Sequence, residues 1–140
     1  MKKLLLSIVF AVVSIMSVSA AGFDVEKCKE LLAVSDSVAL NERQCAEAFA
    51  QIECVLGMYE RSVEEISKMT TLDARKEAAD RFNHSHKDEY NAYRSLLRRL
   101  IYQDKDGRLP ERYAGQLQKI RERNGYVNSM YTKFRSRREL

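Results

Sequence analysis

Three cysteines, two histidines and an uneven supply of arginine are the side chains on which chemistry could rest in this 140-residue chain. What the cysteines do depends on where the chain goes. Met1-Lys2-Lys3 is a short basic start, Leu4 to Val18 is an apolar run broken only by serines, and Val18-Ser19-Ala20 is a small-residue cleavage site. That layout is a secretory signal peptide over residues 1–20, leaving a working domain of residues 21–140 in the periplasm or outside the cell. In an oxidising compartment a disulfide is the default state of paired cysteines. Cys45 and Cys54, nine residues apart on one expected helix, are separated by about 13 Å along its axis, beyond bonding reach. Cys28 is then the shared candidate. With Ser35-Asp36-Ser37 as the turn of a hairpin, Cys28 lies eight residues before Asp36 and Cys45 nine after, nearly level. The expected bridge is therefore Cys28–Cys45, with Cys28–Cys54 as the rival, favoured if the second helix starts late at the cap box Asn41-Glu42-Arg43-Gln44. It would add on the order of 3 kcal/mol. Cys54 is left as a free thiol, or as one that pairs between two chains to make a covalent homodimer.

The other reactive groups do not assemble. His84 and His86 are two residues apart and point about 200° from each other on a helix, so they cannot chelate one metal from one face. Asp104-Lys105-Asp106-Gly107 resembles the middle of a calcium loop. With Gly107 at the glycine position, however, the two end positions that need acidic oxygen donors hold Tyr102 and Tyr113. Cysteine spacings of 17 and 9 fit no zinc pattern. There is no GxSxG, P-loop or GxGxxG sequence. The expectation is a protein that is not an enzyme and needs no metal or cofactor.

Charge is the unusual feature. Residues 21–80 hold seven Lys and Arg against thirteen Asp and Glu, a net of −6; residues 81–140 hold fifteen against seven, a net of +8. In the basic half arginine outnumbers lysine eleven to four, and six of the seven tyrosines lie there. One reading is that the halves attract each other, with little gained per exposed pair. The other is a basic face built by Arg94, Arg98, Lys119, Arg121 and Arg123 and aimed at an anionic partner, since guanidinium suits bidentate contact with sulfate, phosphate or carboxylate. Tyr102 and Tyr126 fall off the apolar stripes and near arginines.

The elements that must carry these groups are helices. Residues 24–34 form a short amphipathic helix capped by Asp24, with Val25, Cys28 and Leu32 on one face. Cys45, Phe49, Ile52, Leu56, Tyr59, Val63 and Ile66 are spaced 4, 3, 4, 3, 4, 3, which is coiled-coil periodicity. Ala48 and Val55 widen the stripe to bundle width, so a helix should run from 38–41 to 69. Thr70 and Thr71 can cap a third helix reaching to Gln103, carrying Ala79, Phe82, His86, Tyr90, Tyr93, Leu97, Leu100 and Ile101 inward. After the loop around Gly107 and Pro110, a fourth helix repeats the strict spacing through Tyr113, Leu117, Ile120, Asn124, Val127, Tyr131 and Phe134, crossing Asn124-Gly125 without slipping, which implies one helix kinked or frayed there rather than two. Short loops make neighbouring helices antiparallel. The expected fold is all-α: an up-down antiparallel bundle of three long helices plus a short N-terminal one, in a single domain. The expected function is a secreted or periplasmic non-enzymatic protein acting by protein–protein binding. The alternative is binding of an anionic ligand, a glycan or lipid headgroup, through the Arg-rich face. Nucleic acid is not expected as a partner.

Overall fold

The computed structural model describes residues 22–136, so the proposed signal segment, Arg137 and Arg138 lie outside the described residues. Among the described residues every regular element is helical: α1 (Val25–Ala33), α2 (Glu42–Ser67), α3 (Leu72–Ser85), α4 (Lys87–Lys105), a 3-10 turn (Glu111–Tyr113) and α5 (Ala114–Arg135).

The helix starts follow the capping residues. The Asp24 carboxylate accepts from the backbone N–H groups of Glu26 and Lys27. Asn41 and Gln44 form a reciprocal capping box at the head of α2, and the Thr71 hydroxyl accepts from the Ala74 N–H. Each satisfies donors that a helix start leaves without partners. Gly107, at φ +72°, closes α4 in the left-handed region that favours glycine. Its N–H reaches the Asp104 carbonyl, and the Arg108 N–H reaches that of Gln103.

Two features depart from the expected elements. The helix expected from 70 to 103 is broken at His86, whose φ of −114° and ψ of 28° lie outside the helical region. The imidazole is held there by Glu89 Oε2, 2.8 Å from Nδ1, and by the Phe82 ring, 4.4 Å away between centres. No glycine or proline marks this bend, so helical periodicity passes over it. The segment between α1 and α2 is the other departure. Ser35-Asp36-Ser37 does form a turn, with the Val38 N–H donating to the Ser35 carbonyl, but it sits inside an irregular stretch from Val34 to Asn41 that α4 holds in place. The Arg99 guanidinium donates to the carbonyls of Val34, Ser35 and Val38 and to Asp36. The Gln103 amide, 3% exposed, donates to the carbonyls of Leu40 and Arg108 and accepts from the Leu40 N–H.

The helices pack around α2. Twelve of its 26 residues are buried, including all seven of the heptad stripe, and it packs against each of the other four helices. α1 lies on α2 and α4, and α3 on α2 and α5, while α4 and α5 meet only lightly. Tyr59 sits where the stripes converge, its ring 5.1–5.5 Å from those of Phe82, Tyr131 and Tyr90. Ser62 completes this region with hydrogen bonds to the Tyr59 carbonyl and the Tyr131 hydroxyl.

The expected Cys28–Cys45 disulfide is absent. All three cysteines are free, and no two sulfurs lie near enough to bond. Because the α1–α2 connection is long, Cys28 comes level with Gln51, not Cys45, and its thiol donates to Gln51 Oε1 at 3.7 Å. Gln51 is six residues further along α2, about 9 Å down the axis. Cys45 points instead toward α4, donating to the Leu40 carbonyl and accepting from Gln103. Burial, then the nearby Asp24 and Cys54, push the Cys28 thiol up to about 11, and burial also raises Cys45. Both are therefore poor nucleophiles at neutral pH.

Two outcomes follow for residues 21–140. Thiol titration without reductant should count three groups in denaturant, with Cys54, the least buried, reacting first under native conditions; a count of one in denaturant would mean that a bridge exists. Gln103→Ala strips partners from Leu40 and Arg108 inside the fold and should cost about 3 kcal/mol in urea denaturation.

An arginine-lined cleft as candidate functional site

The light contact between α4 and α5 leaves a cleft of about 1250 Å³ between them. Its α4 wall carries Tyr90, Arg94, Arg98 and Tyr102, four residues at i, i+4, i+8 and i+12, which one helix face must present together. Its α5 wall carries Asn124, Asn128 and Thr132 at the same interval, with Ser136 one step beyond the helix end and Arg121 at the opposite end. Leu97, Val127 and Tyr131 lie at its base, and each is at least nine-tenths buried. A hydrogen bond of 2.6 Å from the Tyr93 hydroxyl to Asn124 Oδ1 ties the two walls together.

The candidate anion-binding residues divide into two groups. Arg94, Arg98 and Arg121 line the cleft, are exposed, and have no ion pair with an acid among the described residues. Arg94 rests over the Tyr90 ring with its guanidinium carbon 5.8 Å from the ring centre, a cation–π contact that keeps the nitrogens free for hydrogen bonds. Arg123 faces the other way. Its Nη1 reaches both oxygens of Glu53 at 2.8 and 2.9 Å, and its Nε and Nη2 reach Glu60 at 3.0 and 2.6 Å. The Glu60 hydrogen bonds, opposed by partial burial and joined by those of Glu53, hold the guanidinium well above its ordinary range. Lys119 is exposed and lies outside the cleft lining.

The charge split is used in part inside the fold. Four arginines of the basic half pair with acids of the other half: Arg99 with Asp36, Arg112 with Glu42, Arg123 with Glu53 and Glu60, and Arg135 with Asp80. Burial raises the Asp80 carboxyl, but hydrogen bonds from Lys76 and Arg135 outweigh it and leave a net lowering. Arg94, Arg98 and Arg121 stay outside these pairs, and Lys105 extends their line at the end of α4.

The remaining singled-out residues are scattered. Tyr102 lines the cleft, 59% exposed, while Tyr126, 56% exposed, does not. Cys54 is half-buried, its sulfur 3.5 Å from where a side-chain carbon on Gly22 would stand. His86 is beside Phe82 and Glu89, with its Nε2 buried and unpartnered. His84 is exposed. Among the described residues no group of three or more His, Cys, Asp and Glu is gathered as a metal site would require. The neutral ladder Asn124, Asn128, Thr132 was missed by sequence reasoning. Its signal was present as a polar i+4 row beside the apolar stripe, but such a row also describes any solvated helix face.

The two classes of arginine should separate in stability measurements. Arg123→Ala leaves Glu53 and Glu60 facing each other without a cation and should lower stability by about 1 kcal/mol, the partial exposure of all three keeping it modest. Arg94→Ala and Arg121→Ala should each lie within about 0.5 kcal/mol of the parent. Equal losses for all three would overturn the division.

The chain matches no protein-family model, no curated protein and no solved structure, so its function has to be read from this cleft.

Proposed function

We propose that this is an exported, non-enzymatic binding protein of up-down antiparallel helical build, and that its binding site is the α4–α5 cleft, which takes an anionic ligand. The single observation that carries the reading is that Arg94, Arg98 and Arg121 face one cavity without acidic partners, in a fold that pairs four other arginines across its two halves. A solvated charge needs no ligand. Three arginines of one sign on facing walls, however, raise each other's cost and create a local positive potential that an anion relieves. The scattering of histidines and thiols supports a role in binding over one in catalysis, with no cofactor required.

The competing expectation, docking of a protein through a general surface or a covalent dimer through Cys54, has less to rest on. A Cys54 dimer would need the sulfur drawn out from beside Gly22. Of the large exposed apolar residues, Val38 and Tyr102 line one small cavity, while Val25 and Tyr126 lie apart from it on α1 and α5.

Chromatography of residues 21–140 on an immobilised polyanion tests the reading. The parent should be retained and released by salt, as charge contacts require. The triple variant Arg94→Ala, Arg98→Ala, Arg121→Ala should elute at clearly lower salt, while Lys119→Ala should elute near the parent. Coelution of the triple variant with the parent would remove the cleft from the function.

A further inference from the structure

The anion-binding reading leaves the shape of the ligand open, and the cleft's two walls constrain it. We propose that the occupant is a linear anionic glycan, a chain of sugars bearing sulfate or carboxylate groups at intervals, lying lengthwise along α4. This rests on the anion-binding reading above and goes beyond it in naming the ligand.

The first argument is the arrangement of the cations. A site for one compact anion brings several donors to a point. Here Arg94 and Arg98 are one helical turn apart, Lys105 lies two turns further along beside Asp104, and Arg121 stands on the opposite wall. On α4 the row from Tyr90 to Tyr102 covers about 18 Å. A ligand that meets such a row must carry repeated charges. Nor does the track stop at the first cleft. Arg98 and Tyr102 also line a second cavity of about 380 Å³ that continues to Val38 and Arg108, where Asp36 and Asp106 are paired with Arg99 and Arg108 and Arg98 is left without an acid.

The second argument is the facing wall. Asn124, Asn128, Thr132 and Ser136 form a neutral ladder in the same four-residue step. The Thr132 hydroxyl donates to the Asn128 carbonyl and that of Ser136 to the Thr132 carbonyl, so both oxygens are turned to accept from a ligand hydroxyl. Asn124 uses its carbonyl for Tyr93, which leaves its amide N–H groups as donors. A ladder of neutral donors and acceptors opposite a cationic ladder matches a chain that is both hydroxylated and charged. Tyr102, largely exposed between the two cavities, offers a ring face to the C–H side of a sugar.

The third argument sets aside an acidic amphipathic helix, the other polymer that a gap in a helical bundle could accept. Such a helix binds through apolar anchors. The apolar residues at the base of the cleft, Leu97, Val127 and Tyr131, are only 5–7% exposed and already packed in the core.

Titration calorimetry with residues 21–140 decides the matter, using heparin-derived di-, tetra- and octasaccharides, inorganic sulfate, polyglutamate and phosphatidylserine vesicles. The proposal expects affinity to rise by about tenfold or more from disaccharide to octasaccharide as successive sites engage. It also expects Asn128→Ala and Tyr102→Ala, both at exposed positions that leave folding intact, to weaken the octasaccharide severalfold and polyglutamate hardly at all. Polyglutamate or vesicles binding as tightly as the octasaccharide, or indifference to both variants, would overturn the glycan while leaving the anion-binding cleft standing, provided Arg94→Ala still weakens binding. Inorganic sulfate saturating the site as tightly as the octasaccharide would likewise overturn it in favour of a small anion. Failure of every probe, or binding unaffected by Arg94→Ala and Arg121→Ala, would overturn both readings together.

Discussion

The structure depends on the burial of α2. Its apolar residues form a band wide enough for four helices to pack on, and this one constraint sets where everything else lies. A two-row seam would have satisfied one partner; Ala48 and Val55 add a third row and Met58 lies beside it, which widens the buried face of the helix. The outer helices also pair among themselves, α1 on α4 and α3 on α5, while α4 and α5 share only light contact. They stand apart on α2, bridged by the Tyr93–Asn124 hydrogen bond, with the apolar residues at the base of the gap buried in the core. The cleft lies along this one lightly packed seam.

Electrostatics then divides the surface. α2 carries Glu47, Glu53 and Glu60 just outside its apolar band, and each receives a cation from a neighbouring helix: Lys27 from α1 on Glu47, and Arg123 from α5 on the other two. Pairs this exposed contribute little energy each. Their larger effect is orientation, since Arg123 with two carboxylates in fork geometry fixes the rotation of α5 about its own axis. With Arg123 turned to α2, residues two positions before and one after it, Arg121 and Asn124, must face toward α4. The internal salt bridge and the open cleft are thus two consequences of one helix rotation.

Much of this was legible in the sequence, and the losses have a common cause. The stripes of α2 and α5, the caps at Asp24, Asn41 and Thr71, and the continuity of α5 through Asn124-Gly125 were all readable, because each is a local or periodic property. The Cys28–Cys45 pairing failed because it needed the length of a connection. Ser35-Asp36-Ser37 does turn, but the irregular residues on either side of it, held by Arg99 and Gln103 from more than sixty positions away, lengthen the connection. The bend at His86 failed for a similar reason, since a side chain lodged against Phe82 and Glu89 sets the backbone without any breaker residue. Of the residues expected to share one basic face, Arg94, Arg98 and Arg121 line the cleft, Lys119 lies outside it, and Arg123 turns to Glu53 and Glu60. Arg121 and Arg123 are two residues apart and therefore point to opposite sides of α5, so no single surface could have held both.

That last point bears on how charge in a helical protein should be read. Net charge along a chain says how much attraction is available between its halves, but pairing is decided by angle. On α4, Arg98 and Arg99 are adjacent in sequence and separated by about 100° around the axis. Arg99 is drawn into four contacts with the α1–α2 connection, while Arg98 faces the cleft without an acid. The same rule splits Arg121 from Arg123 on α5. In both helices the arginine turned toward a neighbouring segment is consumed by it, and its close neighbour is left on the shared cleft. Because the two leftover residues come from different helices, their convergence does not follow from either sequence segment alone. It requires both rotations to be fixed. The buried stripes of α4 and α5 do most of this, and Arg99 and Arg123 add to it by pairing at that rotation, so losing the Arg123 clamp would loosen the cleft's α5 wall before it threatened the fold.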